Sequence, residues 1–568
     1  ARWARTHGPF ATTTVAARFG LVPAQVEPAL RAMAAAGRLV EGRFREEGPS
    51  AEWCDADVMR VIRRRTLAGL RAEVAPVEAA VLARFLPSWQ GVGSTRSGTA
   101  RLREVVEQLE GLYLPFSDLE KRVLPARVRD FQPSMLDELG ALGEVVWVGG
   151  GSLGGDDGRV ALFRRDRVRL LVDPVSDAAR IRDAVGARQA AAASAGAGAS
   201  AGAPAGALPP TQRLLLDALQ AQGASFFAQL SAACPAVPTA DVLSALWDLV
   251  WAGLVTNDTF QPLRALAGPR RLRGTGRHLA TQAAGRWSLV APLLHPVPVP
   301  TEISHARALV LLERYGVISR EAIAAEHLLG GFAALSPVLR ALEDAGKIRR
   351  GHFVEGLTGA QFAHAGAVDR LRAARDPDPG QEVLALAAVD PANPYGALLP
   401  WPGTATNRPD GADITDGGAG MTASAPVPRG GQAGADDGGD GGDGTDDSAT
   451  PRRAAGARVV LVRGQPVLYV ERGGRRLRIF SATSASGEGG AGSGSSAAPA
   501  LDAALLAAAV AALRDTGRGR RRPLRVERIN GIPALKSDHL AELRRAGFRM
   551  EPNALVLDAE DGRGAGSS

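Results

Sequence analysis

Four times along this chain a turn glycine is followed, about 30 residues later, by a second glycine that ends an amphipathic helix and opens a β-like stretch. The pairs are Gly8 and Gly37, Gly111 and Gly143, Gly223 and Gly253, and Gly316 and Gly346. A short strand, two helices and a hairpin, in that order, make a winged helix. The last copy shows the plan most fully. Val317-Ile318 reads as the short strand, and Ser319 as the cap of a helix starting at Arg320, with Glu321 in its first turn where the helix dipole favours an anion. Gly330-Gly331 breaks that helix. Phe332, Leu335, Val338, Leu339 and Leu342 then recur at helical spacing up to Gly346, and Lys347 to Val354 alternates as a basic wing. A plain array of helical hairpins is the alternative, and it leaves the β-like stretch after every stop glycine without a cause.

The expected fold class is therefore α+β and multidomain: tandem winged helices, then a C-terminal β-barrel-like domain. The first winged helix is placed at 1–75, the second at 76–188, the third at 211–284 and the fourth at 285–379. The barrel-like domain takes 380–402 and 457–568, with strands at Arg458–Val462, Pro466–Glu471 and Arg475–Phe480 and a helix at Leu501–Arg514. An Ala/Gly/Ser linker at 189–210, a Gly/Asp-rich insertion at 403–456 and a Gly/Ser insertion at 481–500 have too little apolar surface to order themselves. Arg84 to Gly93 reads as an ordered apolar loop in which Trp89 packs.

At 568 residues and 45% hydrophobic content the chain can bury several cores. Its net charge is only +7, and Lys121, Lys347 and Lys536 are the sole lysines, so the cations are nearly all arginine, suited to bidentate phosphate and base contacts. A GC-rich genome produces the same bias. Cys54 and Cys234 have neither disulfide nor zinc spacing, as expected of a protein in a reducing cytoplasm, here beside the nucleoid. No apolar run is long enough to cross a membrane. The first residue, Ala1, stands inside a helical stretch, so we expect a piece of a longer protein.

The only Gly-Lys pair, Gly346-Lys347, sits at a wing and is followed by Ile348, so no phosphate-cradling ATPase loop is encoded in this span. No cluster has metal-ligand spacing, and no cofactor is expected here. For nucleic acid, the candidate contacts are Lys347, Arg349, Arg350 and His352 on the fourth wing and Arg320 on the preceding helix. Arg270, Arg271 and Arg273 join them in a basic, glycine-containing loop, a form shared by backbone-tracking loops and by plain connectors. The one enzymatic candidate is Asp390, opening Asp-Pro-Ala-Asn-Pro-Tyr after an apolar strand. It could activate water against an N-glycosidic bond with Tyr395 holding a flipped base, or it could cap a Pro-rich turn.

Long blocks match one known family in order. LWDLVWAGLVTNDTFQPLRA (246–265), GRWSLV (285–290), RALVLLERYGVISREA (307–322), GGFAALSPVLRALEDAGKIRRGHFVEGLTGAQFA (330–363), LAAVDPANPYGALLPWP (386–402) and INGIPALKSDHLAELRRAGF (529–548) resemble the C-terminal region of the bacterial large helicase-related proteins, Lhr. The resemblance implies an N-terminal ATP- and magnesium-dependent, 3′-to-5′ DNA helicase core as this region's partner, a role in DNA repair on single-stranded or forked DNA, and homo-oligomer formation. It also implies an array of winged helices and a barrel similar to the AlkZ-type DNA glycosylases, and uracil-DNA glycosylase activity has been attributed to this region. The AlkZ-type Gln-x-Gln motif is not matched: Gln361-Phe362-Ala363 lacks its second glutamine. The expected function is DNA guidance, with base excision and a protein-binding scaffold as rivals.

Overall fold

The computed structural model describes residues 2–45, 51–62, 75–172, 208–267, 280–376, 383–403, 451–480, 503–515 and 523–558. The Gly/Ala/Ser linker, both insertions and Arg270, Arg271 and Arg273 lie wholly or mostly outside the described residues. The chain divides into two compact units, 1–76 and 77–568.

The first unit carries helices α1 (Thr12–Phe19) and α2 (Pro23–Ala35) and a hairpin of β1 (Leu39–Gly42) and β2 (Glu52–Asp55). Phe10 bridges to Trp53, supplying the short first strand of the plan. Trp53 is buried with Phe10, Leu30 and Leu39 in the unit's own core.

In the second unit, helices α3 (Ala79–Trp89) and α4 (Gly98–Leu109) precede β3 (Leu114–Pro115), helix α5 (Pro133–Ala141) and the hairpin β4 (Val145–Ser152) and β5 (Gly158–Arg164). The next module holds α6 (Pro210–Gln222), β6 (Ser225–Phe226), α7 (Phe227–Ala232), α8 (Thr239–Trp251), β7 (Val255–Asn257) and β8 (Arg286–Leu289). The last has α9 (Pro300–Tyr315), β9 (Val317–Ile318), α10 (Arg320–Ala325), α11 (Gly331–Asp344), β10 (Ile348–Gly351), β11 (Gln361–His364) and α12 (Ala367–Ala373). All three sheets have one order, with the third strand between the first and the second.

The repeat has one local cause. Gly37, Gly143, Gly253 and Gly346 all have positive φ, between 68° and 77°. In each copy the following amide donates to the carbonyl five residues back: Arg38 to Met33, Glu144 to Leu139, Leu254 to Leu249 and Lys347 to Leu342. That is the Schellman stop, which satisfies the carbonyls a helix end leaves open and turns the chain straight into a strand.

Three sequence expectations change. Arg84 to Trp89 is the end of helix α3 rather than a loop: Trp89 Nε1 donates to the Glu313 carbonyl at 2.8 Å, and Arg84 donates to the carbonyls of Ala374, Arg375 and Arg463. Ser117 caps no helix, because its hydroxyl donates to Asp157 at 2.5 Å. Residues 286–289, assigned by sequence to the fourth module, pair with β6 and β7 and complete the third.

Among the described residues the C-terminal part forms no closed barrel. Strands β12 (Val383–Ala387), β13 (Arg458–Val462), β14 (Gln465–Val470) and β15 (Arg476–Ile479) run on to β17 (Arg528–Ile529) and β18 (Ile532–Pro533) as one six-stranded sheet, and β12 and β18 do not pair. Helix α13 (Ala503–Asp515) packs on it. A separate three-stranded sheet is formed by β16 (Leu524–Val526), β20 (Ala554–Leu557) and β19 (Arg549–Glu551), with helix α14 (Leu540–Arg545) nearby in sequence.

Cores cross module boundaries. Helix α3 shares one with the fourth module and β13, while the second and third modules share another. The latter contact relies on glycine. A Cβ at Gly149 would collide with the Val250 carbonyl oxygen, and one at Gly158 with the Trp251 ring. Gly149→Ala is therefore expected to destabilise the second unit by about 1–3 kcal/mol through overpacking. Calorimetry checks this, and an unchanged melting profile would show that the two modules do not need this close approach.

Candidate nucleic-acid interface

The fourth module's wing gathers the predicted contacts. Ile348 is buried and anchors β10, while Lys347, Arg349, Arg350 and His352 are exposed. In register, Arg349 faces Ala363 and Arg350 faces Phe362 across the hairpin. None of these four side chains has a carboxylate partner among the described residues. Arg320 reaches the same hairpin: its guanidinium lies 5.1 Å from the Phe332 ring centroid, beside Gly359, and Phe332 contacts Phe362.

The wing is held on three sides. Ser319 caps α10 by accepting from the Ala322 amide at 3.2 Å. Glu321 accepts from the amide and hydroxyl of Thr358, at 2.8 and 2.6 Å. Burial raises that carboxyl's pKa, but the bonds from Thr358, together with those from its own amide and Ser319, outweigh it, and the pKa lies below its usual value. Gln361 is buried: its Oε1 accepts from Phe353 and Val354, and its Nε2 donates to the Val354 carbonyl. Gln361 thus shapes the wing turn. Val77, the first residue of the second unit, then pairs in parallel with Val354, a contact that no sequence signal announced.

The other recognition helices in this unit are buried or acidic. Helix α8 has Val242, Leu246, Trp247, Val250 and Trp251 buried and contains no Lys or Arg. Its apolar surface lies against β4 of the preceding module, where Thr256 donates to the Trp147 carbonyl at 2.6 Å. Helix α5 carries Asp137 and Glu138 with no cation, and Arg264 binds Asp137 and Glu120. The β4–β5 tip ends in Asp156 and Asp157.

Asp390 lies elsewhere, and its surroundings argue against the role in water activation. It is 1% exposed, and both its carboxylate oxygens accept from the fully buried Arg127, at 2.6 and 3.0 Å. Oδ1 also accepts from the Ala392 amide, which is the turn-capping alternative. Tyr395 is buried too, donating to the Gly464 carbonyl and stacked on Trp401, so it frames no open base pocket; burial drives its phenol well above the ordinary value. Arg127 further binds Gln90, Gln90 binds the Arg314 carbonyl, and Arg314 pairs with Glu326. Arg453 donates to the carbonyls of Val389, Asp390, Asn393 and Tyr395. This network joins the second module, the fourth and the C-terminal sheet. Among the described residues no group of His, Cys, Asp or Glu is arranged to hold a metal ion.

Two family models match the chain, at residues 77–165 and 298–383, and both describe a winged-helix domain of the large helicase-related protein. The chain is thus similar to the Lhr family at two of its winged-helix modules. It is 39% identical over 592 residues to the Lhr helicase/probable uracil glycosylase of Mycolicibacterium smegmatis and 31% identical over 610 residues to the Lhr helicase/uracil glycosylase of Escherichia coli. Each alignment covers 98% of this chain and 33% of the relative, so the chain spans about a third of the length of these curated relatives. Among solved structures, the Streptomyces sahachiroi DNA glycosylase AlkZ aligns over 80% of this chain and all of its own, at 14% identity. The TM-score of 0.40 is too low to argue from. No helix among the described residues is long and apolar enough to cross a membrane.

Proposed function

We propose that this chain is the DNA-guiding region of an Lhr-type repair helicase, with the fourth module's wing as its principal duplex contact. One observation carries the reading. Lys347, Arg349, Arg350 and His352 stand exposed on one hairpin without carboxylate partners among the described residues, while the recognition helices of the two preceding modules are buried or acidic. Phosphate contacts of this kind position DNA without choosing sequence. The working partner would be the ATP- and magnesium-dependent motor of the longer polypeptide, on forked or single-stranded DNA.

The test uses the 568-residue chain with labelled single-stranded, duplex and forked oligonucleotides, each with and without uracil. Binding is followed by mobility shift across a salt series, and excision by alkali cleavage at abasic sites. Lesion-independent binding that weakens steeply with salt supports the proposal, the slope being about −0.9 per phosphate contacted on duplex. Salt-insensitive binding, or none, overturns it in favour of a protein-binding scaffold. Alkali-labile product would show in addition the activity named in the two relatives, and the Asp390→Asn variant then reads whether Asp390 carries it.

A further inference from the structure

Beyond the wing, one more cationic surface has a defined shape. A cleft of about 600 Å³ in the C-terminal part is lined by Ala541, Arg544, Arg545, Phe548, Arg549 and Met550. Its walls come from the last turn of α14 and from β19, the edge strand of its sheet. Arg544 and Arg545 are exposed and have no carboxylate partner among the described residues. Arg549 is oriented by Asp558, donating to its two oxygens at 2.6 and 2.8 Å. That pairing leaves two of the three guanidiniums uncompensated. Between α14 and β19, Gly547 has φ +107°, and a Cβ there would strike the guanidinium of Arg514, which bonds the Gly547 carbonyl. The floor differs in character. Phe548 is buried in the core beneath, yet Met550 is 50% exposed, a large apolar side chain open to solvent among arginines.

We infer that this cleft binds one strand of single-stranded nucleic acid, with Arg544 and Arg545 on consecutive phosphates and a base laid against Met550. The inference rests on the DNA-guiding reading and extends it to a second contact. Charge alone would suit any polyanion; the exposed Met550 beside the arginines narrows the choice. A duplex keeps its base faces stacked inside and offers a surface only phosphates and groove edges, whereas an unpaired strand can present a base face to sulfur, apolar and guanidinium surfaces. The wing, a convex hairpin, suits the duplex. A forked substrate could therefore occupy both, with duplex on the wing and unpaired strand in the cleft.

The experiment compares the intact chain, the double variant Arg544→Gln/Arg545→Gln and the wing variant Lys347→Gln/Arg349→Gln/Arg350→Gln. Fluorescence anisotropy is read with an oligo(dT) single strand, a blunt duplex and a duplex bearing a 3′ overhang, each over a salt series. The cleft variant is expected to lose about tenfold in affinity for the single strand near 0.15 M salt, and its salt slope is expected to shrink by about 1.4, two contacts at about 0.7 each. Blunt-duplex binding is expected to stay unchanged. The inference is overturned if the cleft variant binds the single strand as the intact chain does, or if it loses duplex binding by the same factor. Failure of the wing variant to weaken blunt-duplex binding instead sinks the wing proposal, whatever the cleft variant does. Both variants replace exposed side chains that have no ion-pair partner among the described residues, and matching melting profiles confirm that each stays folded.

Discussion

Asp390→Asn is expected to cost the second unit about 3–5 kcal/mol, because it leaves the Arg127 guanidinium buried without its counter-charge. Arg127 is fully buried, and besides Asp390 its acceptors among the described residues are neutral, Gln90 Oε1 at 2.6 Å and the Val123 carbonyl at 2.9 Å. An amide in place of the carboxylate keeps one acceptor oxygen and turns an NH₂ group towards the other guanidinium nitrogen. The damage should spread, since the pair ties the second module to the C-terminal sheet, and Arg453 secures the same turn through four carbonyls. Urea unfolding measures it: the midpoint falls while the slope, set by the surface exposed, stays the same. Replacing both partners by apolar residues of similar size, Arg127→Met with Asp390→Leu, is expected to recover most of the loss, since the desolvation of both charges disappears together. The same experiment separates structure from catalysis. A general base at Asp390 would give an Asn variant of unaltered stability that had lost base excision. An unaltered midpoint would sink the structural assignment.

The second large effect is on DNA. Converting Lys347, Arg349 and Arg350 to glutamine is expected to lower duplex affinity on the order of a hundredfold near 0.15 M salt. That figure follows from three phosphate contacts, each contributing about 0.9 to the salt slope, so the slope itself should flatten by about 2.7. The slope is the more telling readout, because a merely misfolded wing would lower affinity without removing a defined number of counterions. Stability should hardly move: the three side chains are exposed, and the hairpin is held from behind by Ile348, by Gln361 and by the Val77 bridge. An affinity and slope equal to those of the intact chain would place the duplex contact elsewhere.

Repeat architecture was legible in the amino-acid pattern because its cause is local. A glycine that accepts positive φ ends each second helix, and the next amide closes on the carbonyl five residues back, so copies at 37, 143, 253 and 346 announce themselves without knowledge of the rest. The wing cations were legible for the same reason: Lys347, Arg349 and Arg350 directly follow such a stop. Sequence blocks also pointed to the Lhr family, which the winged-helix models and the two relatives bear out.

What the pattern could not carry depends on partners distant in the chain. Periodicity shows that α8 is apolar, but not that its surface is covered by the glycines of β4 and β5, about a hundred residues earlier. Alternation finds strands; whether they close into a barrel depends on the pairing of the first with the last, and β12 and β18 remain apart. Asp390 shows the difference most sharply. By sequence it could activate water or cap a turn, and nothing local announced its ion pair with Arg127, 263 residues away and buried against both carboxylate oxygens. Local conformational preference wrote the modules into the chain, whereas desolvation and long-range pairing, which exist only once the chain is folded, decided which of their surfaces stay open to a ligand.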